Sequence, residues 1–215
     1  MSGPAAPAAN PRAPSFAYLI IVLLLAQALG TMATSLVPAM APKVVASYGV
    51  SSVWIGYQVS LISLSMLVSL VYGGNLSVRL GGCRTSQVGL MLCIAGCLIA
   101  MLPHSAFLLL SAVAMGLGYG LVSPAASPVL MRFTPPERRN FIFSFKQTGV
   151  PMGGMAAGGL APAIAVWAGW QWALALNALA LALLLIAMQR GRPHWDSDRD
   201  PAAGLVADPY GGLGV

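Results

Sequence analysis

Apolar positions in this chain run in long, nearly unbroken blocks, and the polar punctuation between them is sparse. Charge-free stretches cover 13–42, 44–78, 85–131 and 147–189, which are 30, 35, 47 and 43 residues long. A helix that crosses the hydrocarbon core of a bilayer needs about 20 predominantly apolar residues. The first two stretches therefore predict one helix each, and the last two a pair each. The first span runs from Phe16 to about Met40 and is closed by Pro38 and Pro42. The second covers about Trp54–Leu76, with Trp54 and Tyr57 as interfacial anchors. The third covers about Gln87–Leu102 and stops at Pro103-His104-Ser105. The fourth follows to about Met131, with Pro124 and Pro128 in its last turns. The fifth begins near Phe141, and the sixth covers about Trp172–Met188 after a short interfacial turn at Trp167–Gln171. The chain thus divides into a disordered lead (1–15), a six-helix transmembrane domain (16–190) and a polar tail (191–215).

Composition narrows the class. The chain is 58% hydrophobic and 7% charged, against roughly 25% charged in ordinary soluble domains. All five acids lie at Glu137, Asp196, Asp198, Asp200 and Asp208, so the first 136 residues hold no carboxylate. These features exclude a soluble globular domain, a disordered chain and a nucleic-acid binder, despite a net charge of +6. The run from Phe16 exceeds the apolar core of a signal peptide, about 7–15 residues, and is expected to be retained.

Basic residues set the orientation. Arg12, Arg79, Arg84, Arg132, Arg138, Arg139, Arg190, Arg192 and Arg199 fall on one side of a six-helix path, and Lys43 alone on the other. Both termini are therefore expected on the cytoplasmic side of an inner membrane. Cys93 and Cys97, four apart on one helix face, read as small packing residues rather than zinc ligands. Enzyme chemistry finds no footing. His104 lies in an outer turn and His194 in the tail, and every carboxylate is in a loop or the tail. No acid/base pair or metal site assembles inside the membrane, and no cofactor is implied.

Shifting the sequence by 85 residues lays Leu23-Leu24-Leu25 on Leu108-Leu109-Leu110, Leu36-Val37 on Leu121-Val122, and Gly73-Gly74 on Gly158-Gly159. A three-helix unit used twice must give inverted repeats, an arrangement found in transporters.

Four short motifs sharpen this. Gly74-Asn75-Leu76-Ser77-Val78-Arg79-Leu80-Gly81 follows the second span, and Pro136-Glu137-Arg138-Arg139 precedes the fifth. Gly149-Val150-Pro151-Met152-Gly153-Gly154 lies in the fifth, and Gly169-Trp170-Gln171-Trp172 opens the sixth. Together they resemble the loop signature and helix-end motifs of the major facilitator superfamily, in family order over about residues 16–190. In the loop signature, Gly-x-Leu-Ala-Asp-Arg-x-Gly, the matches are Gly74, Leu76, Arg79 and Gly81. Val78 stands at the acidic position that helps latch the two halves, and Ala112 stands where the fourth helix ordinarily carries an arginine. The resemblance implies an all-α fold: two inverted three-helix repeats, forming the amino-terminal half of a twelve-helix secondary transporter. The implied activity is movement of a small solute by alternating access. A homodimer or a second six-helix half would then complete the cavity, and the alternative is a non-transporting membrane subunit or truncated remnant.

Lys146 is the only charge inside an expected span. Intramembrane charges are costly and functional by default, so a cavity-facing cation for an anionic substrate competes with a lysine snorkelling to the headgroups. Gln27, Thr31, Thr34 and Ser35 share a face of the first helix, and Tyr119 and Ser123 one of the fourth. The resemblance makes these two helices line the cavity, so Gln27, Thr31, Thr34, Tyr119, Ser123, Lys146 and Gln147 are the candidate pathway residues, with interhelical hydrogen bonding as the competing role. Asn177 reads as a packing residue. Gly149, Gly153 and Ala157 have small-xxx-small spacing for close packing, and Pro151 adds a bend, with Gly154 beside it. By family analogy the second and fifth helices meet the other half, so this small face is expected at that interface.

Overall fold

The computed structural model describes residues 15–197 and 199–201. The expected lead and most of the expected tail lie outside these residues. The elements are α1 (Phe16–Ala39), α2 (Ala41–Tyr48), α3 (Val53–Leu80), α4 (Gly82–Ala100), α5 (Ala106–Phe133), a 3-10 turn (Pro136–Arg138), α6 (Arg139–Gln147), α7 (Gly149–Trp167) and α8 (Trp170–Trp195). Among the described residues, six helical stretches are long and apolar enough to span a membrane: α1, α3, α4, α5, the run Pro136–Trp167, and α8.

Local chemistry sets the ends. The Ser15 hydroxyl accepts from the Tyr18 amide at 3.3 Å and starts α1. Gly49, at φ 63°, closes α2 in the left-handed conformation that glycine tolerates. The sequence reading left 41–52 without an element. With Val44 as its only buried residue, α2 carries too little apolar pattern to announce itself. It is held from its end, where the Tyr48 hydroxyl donates to the carbonyls of Ala100 and Leu102 at 2.7 Å. Burial raises the Tyr48 phenol above its ordinary value.

Two boundaries move outward. Gly81, at φ 94°, reverses the chain in one residue, so α4 begins five residues before the expected Gln87. At the other end, α8 continues past Arg190, the expected start of the tail, to Trp195. Trp195 is buried and stacks on Tyr18, with ring centroids 5.9 Å apart. That contact gives the last helical turns a reason to stay folded.

The helices pair as α1 with α7, α3 with α5, and α4 with α8, while α4 also packs on α5 and α1 on α8. Counting α6–α7 as the fifth span, exchanging first with fourth, second with fifth and third with sixth maps this set of pairs onto itself. Odd-numbered units related this way are inverted repeats. Leu19, Leu36, Leu90, Leu108, Met115, Leu174 and Leu181 fill the core between α1, α4, α5 and α8. By contrast, α3 and α7 turn Val68, Val71, Tyr72, Met155, Leu160 and Val166 outward.

Candidate functional site

The polar face expected on α1 meets α5 in the middle of the bundle. Gln27, 2% exposed, donates from Nε2 to the Tyr119 hydroxyl at 2.9 Å. The Thr31 hydroxyl lies 2.9 Å from the Tyr119 hydroxyl and 2.9 Å from the Gln27 carbonyl. Gly30 makes this possible, because a Cβ there would stand 2.9 Å from the Tyr119 ring. Tyr119 is only half-buried, so the cluster keeps an open edge, and the Gln27 Oε1 finds no partner among the described residues. Thr34 spends its hydroxyl on the Thr31 carbonyl at 2.9 Å. Ser123 is half-buried one turn beyond Tyr119, its carbonyl accepting from Ser127 at 3.2 Å. Gln27, Thr31 and Tyr119 thus come together, whereas Thr34 and Ser123 flank them.

Lys146 closes the last turn of α6 and is 3% exposed. No hydrogen bond or ion pair reaches its ammonium among the described residues. Gln147, next in line, is exposed. The fifth span breaks at Thr148 rather than at Pro151. Proline has no N–H, so the bond that residue 151 would donate to the Gln147 carbonyl is missing and the hydrogen-bond ladder is interrupted there, while Thr148 itself keeps helical φ −61° and ψ −18°. Lys146 therefore sits one residue before the carbonyl that this interruption leaves without its helical donor.

The small face of the fifth span is used inside the bundle, which corrects its expected place at an interface with another half. A Cβ at Gly149 would stand 2.7 Å from the Leu24 carbonyl oxygen, and one at Gly153 would run into the Ala28 carbonyl and within 2.9 Å of Thr31 Cβ. Gly149, Gly153, Ala157, Ala161 and Ala165 are all buried. The opposite side of α7 is open, with nothing within 4 Å of a Cβ at Gly154, Gly158 or Gly159.

At the arginine-rich end, the motif expected in a loop after the second span lies mostly inside α3, which runs on to Leu80 and leaves only Gly81 in the turn. Gly74 has open space around it, Leu76 is half-buried and Arg79 is exposed. Gly81 lies beneath the side chain of Asp196, which any Cβ would strike. That carboxylate accepts from the Cys83 amide at 2.7 Å and the Arg84 amide at 3.1 Å, capping α4 with the end of α8. Sequence reasoning missed Asp196, although a helix opening on Gly81-Gly82 with no side-chain cap of its own was a usable signal. It also missed Gln58 and Gln87, both fully buried with neither amide atom partnered among the described residues. Their polarity inside apolar spans was visible, but the direction they face was not. Asn177 bonds the Leu29 carbonyl at 3.4 Å, linking α8 to α1.

Residues 23–209 match the sequence pattern of the Major Facilitator Superfamily. The galactose-proton symporter of Escherichia coli (strain K12) is 30% identical over 131 residues, 60% of this chain and 28% of that protein. Among solved structures, a peptide transporter POT in complex with sulfate superposes with TM-score 0.66 at 21% identity, covering 94% of this chain and 44% of the other. A POT family transporter in complex with 5-aminolevulinic acid gives TM-score 0.66 at 19% identity, over 87% and 40% of the two chains. The chain thus spans less than half the length of each of these proteins. A family match over most of its length, joined to six apolar spans and half of a transporter fold, places this multi-pass membrane protein in the Major Facilitator Superfamily.

Proposed function

We propose that the chain forms one six-helix half of a secondary transporter that moves a small anionic solute by alternating access. The other half would be a second copy or a separate six-helix unit. The arginine-rich end would face the cytoplasm of an inner membrane, with residues 16–190 as the transmembrane domain. The observation that carries this reading is Lys146, which is the one charged side chain within the apolar body of the bundle and is buried without a counter-charge among the described residues. Leaving a charge on a side chain this deeply buried without a partner is expensive. A transient anion removes the cost each time it binds. Gln27, Thr31 and Tyr119 supply neutral donors and acceptors on the facing helices, and Thr34, Ser123 and Gln147 extend that lining. Gly74, Leu76 and Arg79, in the last turns of α3, and Gly81, in the turn after it, form the gating segment, and the interruption at Thr148, set by Pro151 and flanked by Gly149, Gly153 and Gly154, is the hinge. Structural neighbours held sulfate, an anion, and 5-aminolevulinic acid, which carries a carboxylate beside its ammonium, and an oxyanion group of either kind suits a lone lysine.

Proteoliposome uptake of a panel of small organic and inorganic anions tests the assignment. Lys146→Met is expected to lower uptake about 100-fold, the equivalent of roughly 2.7 kcal/mol, while raising the melting temperature by removing an unpaired buried charge, and Lys146→Arg keeps part of the uptake. Uptake unchanged in Lys146→Met would refute the role. A lower melting temperature with unaltered uptake per folded protein would assign the lysine to the helix break instead.

A further inference from the structure

Beyond the proposed pathway, the arginine-rich end contains a second cation-lined space. A cavity of about 340 Å³ is bounded by Arg79, Arg84, Arg192 and Arg199, with Leu80 and Pro201 as its apolar walls. The four guanidinium groups come from three separate places: the end of α3, the start of α4, and the end of α8 with the segment after it. Backbone bonding draws them together. The Asp200 amide donates to the Val78 carbonyl at 2.9 Å, which sets Arg199 beside the end of α3, and Asp196 holds the end of α8 on the first turn of α4.

Among the described residues the charge around this space does not balance: the nearby acids are Asp196 and Asp200, against four arginines. Asp196 directs both carboxylate oxygens at backbone amides and stands 4.0 Å from Arg192 Nε. The side chains of Arg79, Arg84 and Arg199 make no hydrogen bond or ion pair among the described residues. Arginine stays protonated at any physiological pH and offers a planar fork of donors that fits tetrahedral oxyanions. Attraction of arginines to one side of a membrane accounts for their being at this end, but not for the convergence of four onto one space.

We propose that this cavity binds a phosphate-bearing anion, with Arg79, Arg84, Arg192 and Arg199 as its donors. At the membrane surface two sources carry that chemistry, the headgroup of an anionic phospholipid and free phosphate, and both engage the guanidinium groups through the same charge-assisted bonds. Binding would tie α3, α4 and α8 together at their shared end.

The test uses the full chain in nanodiscs of phosphatidylcholine alone and of phosphatidylcholine with phosphatidylglycerol, with inorganic phosphate titrated into the first set. Thermal unfolding is the readout, and potassium chloride at matched ionic strength is the control. A phosphate-bearing probe is expected to raise Tm where chloride does not. The R79Q/R199Q variant, which removes two exposed side chains without partners, is expected to shift the midpoint of that titration by at least about tenfold. R138Q/R190Q removes the same charge from the same end but outside the cavity, and it keeps the response. If R79Q/R199Q melts lower without any probe, R84Q replaces it in the comparison. A response to phosphatidylglycerol alone assigns the site to a lipid headgroup, and a response to both assigns it to free phosphate as well. An equal response to chloride, an equal loss in R138Q/R190Q, or no response to either probe overturns the proposal.

Discussion

The pairs α1–α7 and α3–α5 occupy equivalent places in the two repeats, and they share their packing but not their chemistry. In each, glycines on one helix admit the backbone of the other: Gly149 and Gly153 against α1, and Gly116 and Gly120 against α3. Lipid supplies no hydrophobic drive between helices, so close backbone approach and interhelical hydrogen bonds hold both pairs. The α1–α7 pair then adds a broken helix, a buried cation and the Gln27–Thr31–Tyr119 cluster at its edge. The α3–α5 pair presents only neutral polarity, the stripe Gln58, Ser65, Ser69 and Ser77 on an unbroken helix. Repetition thus keeps the packing by which both pairs close, while the polar chemistry differs between them.

The largest expected effect tests the shared packing. Gly153→Val must push a Cβ into the Ala28 carbonyl, and Gly120→Val must displace Met66, whose carbonyl lies 2.7 Å from the added atom, and Ser69 at 2.6 Å. Backbone cannot yield as a flexible side chain does, so each is expected to cost about 3 kcal/mol, the upper range for overpacking. Gly154→Val, with open space around it, should stay within roughly 1 kcal/mol of the wild type and on the stabilising side, because valine meets nothing there and has a better helix propensity than glycine. Melting temperatures in detergent, compared across the three, check this. Equal melting of Gly153→Val and Gly154→Val would break the assignment of the small face to the α1 contact.

The next effect has the opposite sign and separates the two pairs. Gln58 is fully buried with neither amide atom bonded among the described residues. Replacing an unsatisfied buried amide with an apolar group of similar shape removes a desolvation cost of about 1–3 kcal/mol. Gln58→Met is therefore expected to raise the melting temperature and leave uptake intact, whereas Lys146→Met raises the one and loses the other. A destabilised Gln58→Met would show that its amide has a partner such as a buried water.

Much of this architecture is legible in the chain because charge is so sparse. Four charge-free stretches fix six spans, and the segregation of arginines fixes which ends lie together. The remainder depends on facing, which one-dimensional spacing does not record. The Gly149–Gly153–Ala157 spacing announces a close contact, yet nothing in it says that α1 rather than another half fills it. Pro151 announces a bend, but the missing bond belongs to the Gln147 carbonyl, so the break falls upstream. Lys146 stands out as a charge, whereas its burial comes from the packing of α6 on α1. Asp196 is invisible as a cap because its amide partners, Cys83 and Arg84, are more than a hundred residues away.

A smaller effect probes the cluster. Tyr119→Phe deletes the hydroxyl shared by Gln27 and Thr31. Thr31 can still bond the Gln27 carbonyl, but the Gln27 side chain then has no partner among the described residues. The expected loss is about 1–2 kcal/mol of stability, the cost of one bond with one buried donor left over. Uptake should fall further than stability accounts for if the hydroxyl also meets solute. Ser69→Ala, which removes one bond of 2.7 Å to the Leu117 carbonyl in the other pair, should cost stability alone.

The smallest effect concerns the linkers of the two repeats. The first repeat joins its first two spans through α2, pinned by Tyr48. The second uses a 3-10 turn, held by Arg139, whose guanidinium donates to the carbonyls of Thr134 at 3.3 Å and Met131 at 3.2 Å. Arginine does not titrate, whereas the phenol does. Burial favours the neutral Tyr48 hydroxyl, so its folded-state value lies above the ordinary 10.0. A group raised on folding contributes stability that is whole below its unfolded value and is lost as pH rises through the folded one. The first linker should therefore loosen above about pH 10, and the second should not. Tyr48→Phe is expected to cost about 1 kcal/mol at neutral pH, through the lost donor to Ala100 and Leu102, and to flatten the alkaline fall in stability. Hydrogen exchange across 41–48 and 134–138, measured on either side of pH 10, reads the two linkers separately. Equal alkaline opening of both, or an alkaline fall that survives in Tyr48→Phe, would show that the phenol is not what holds α2.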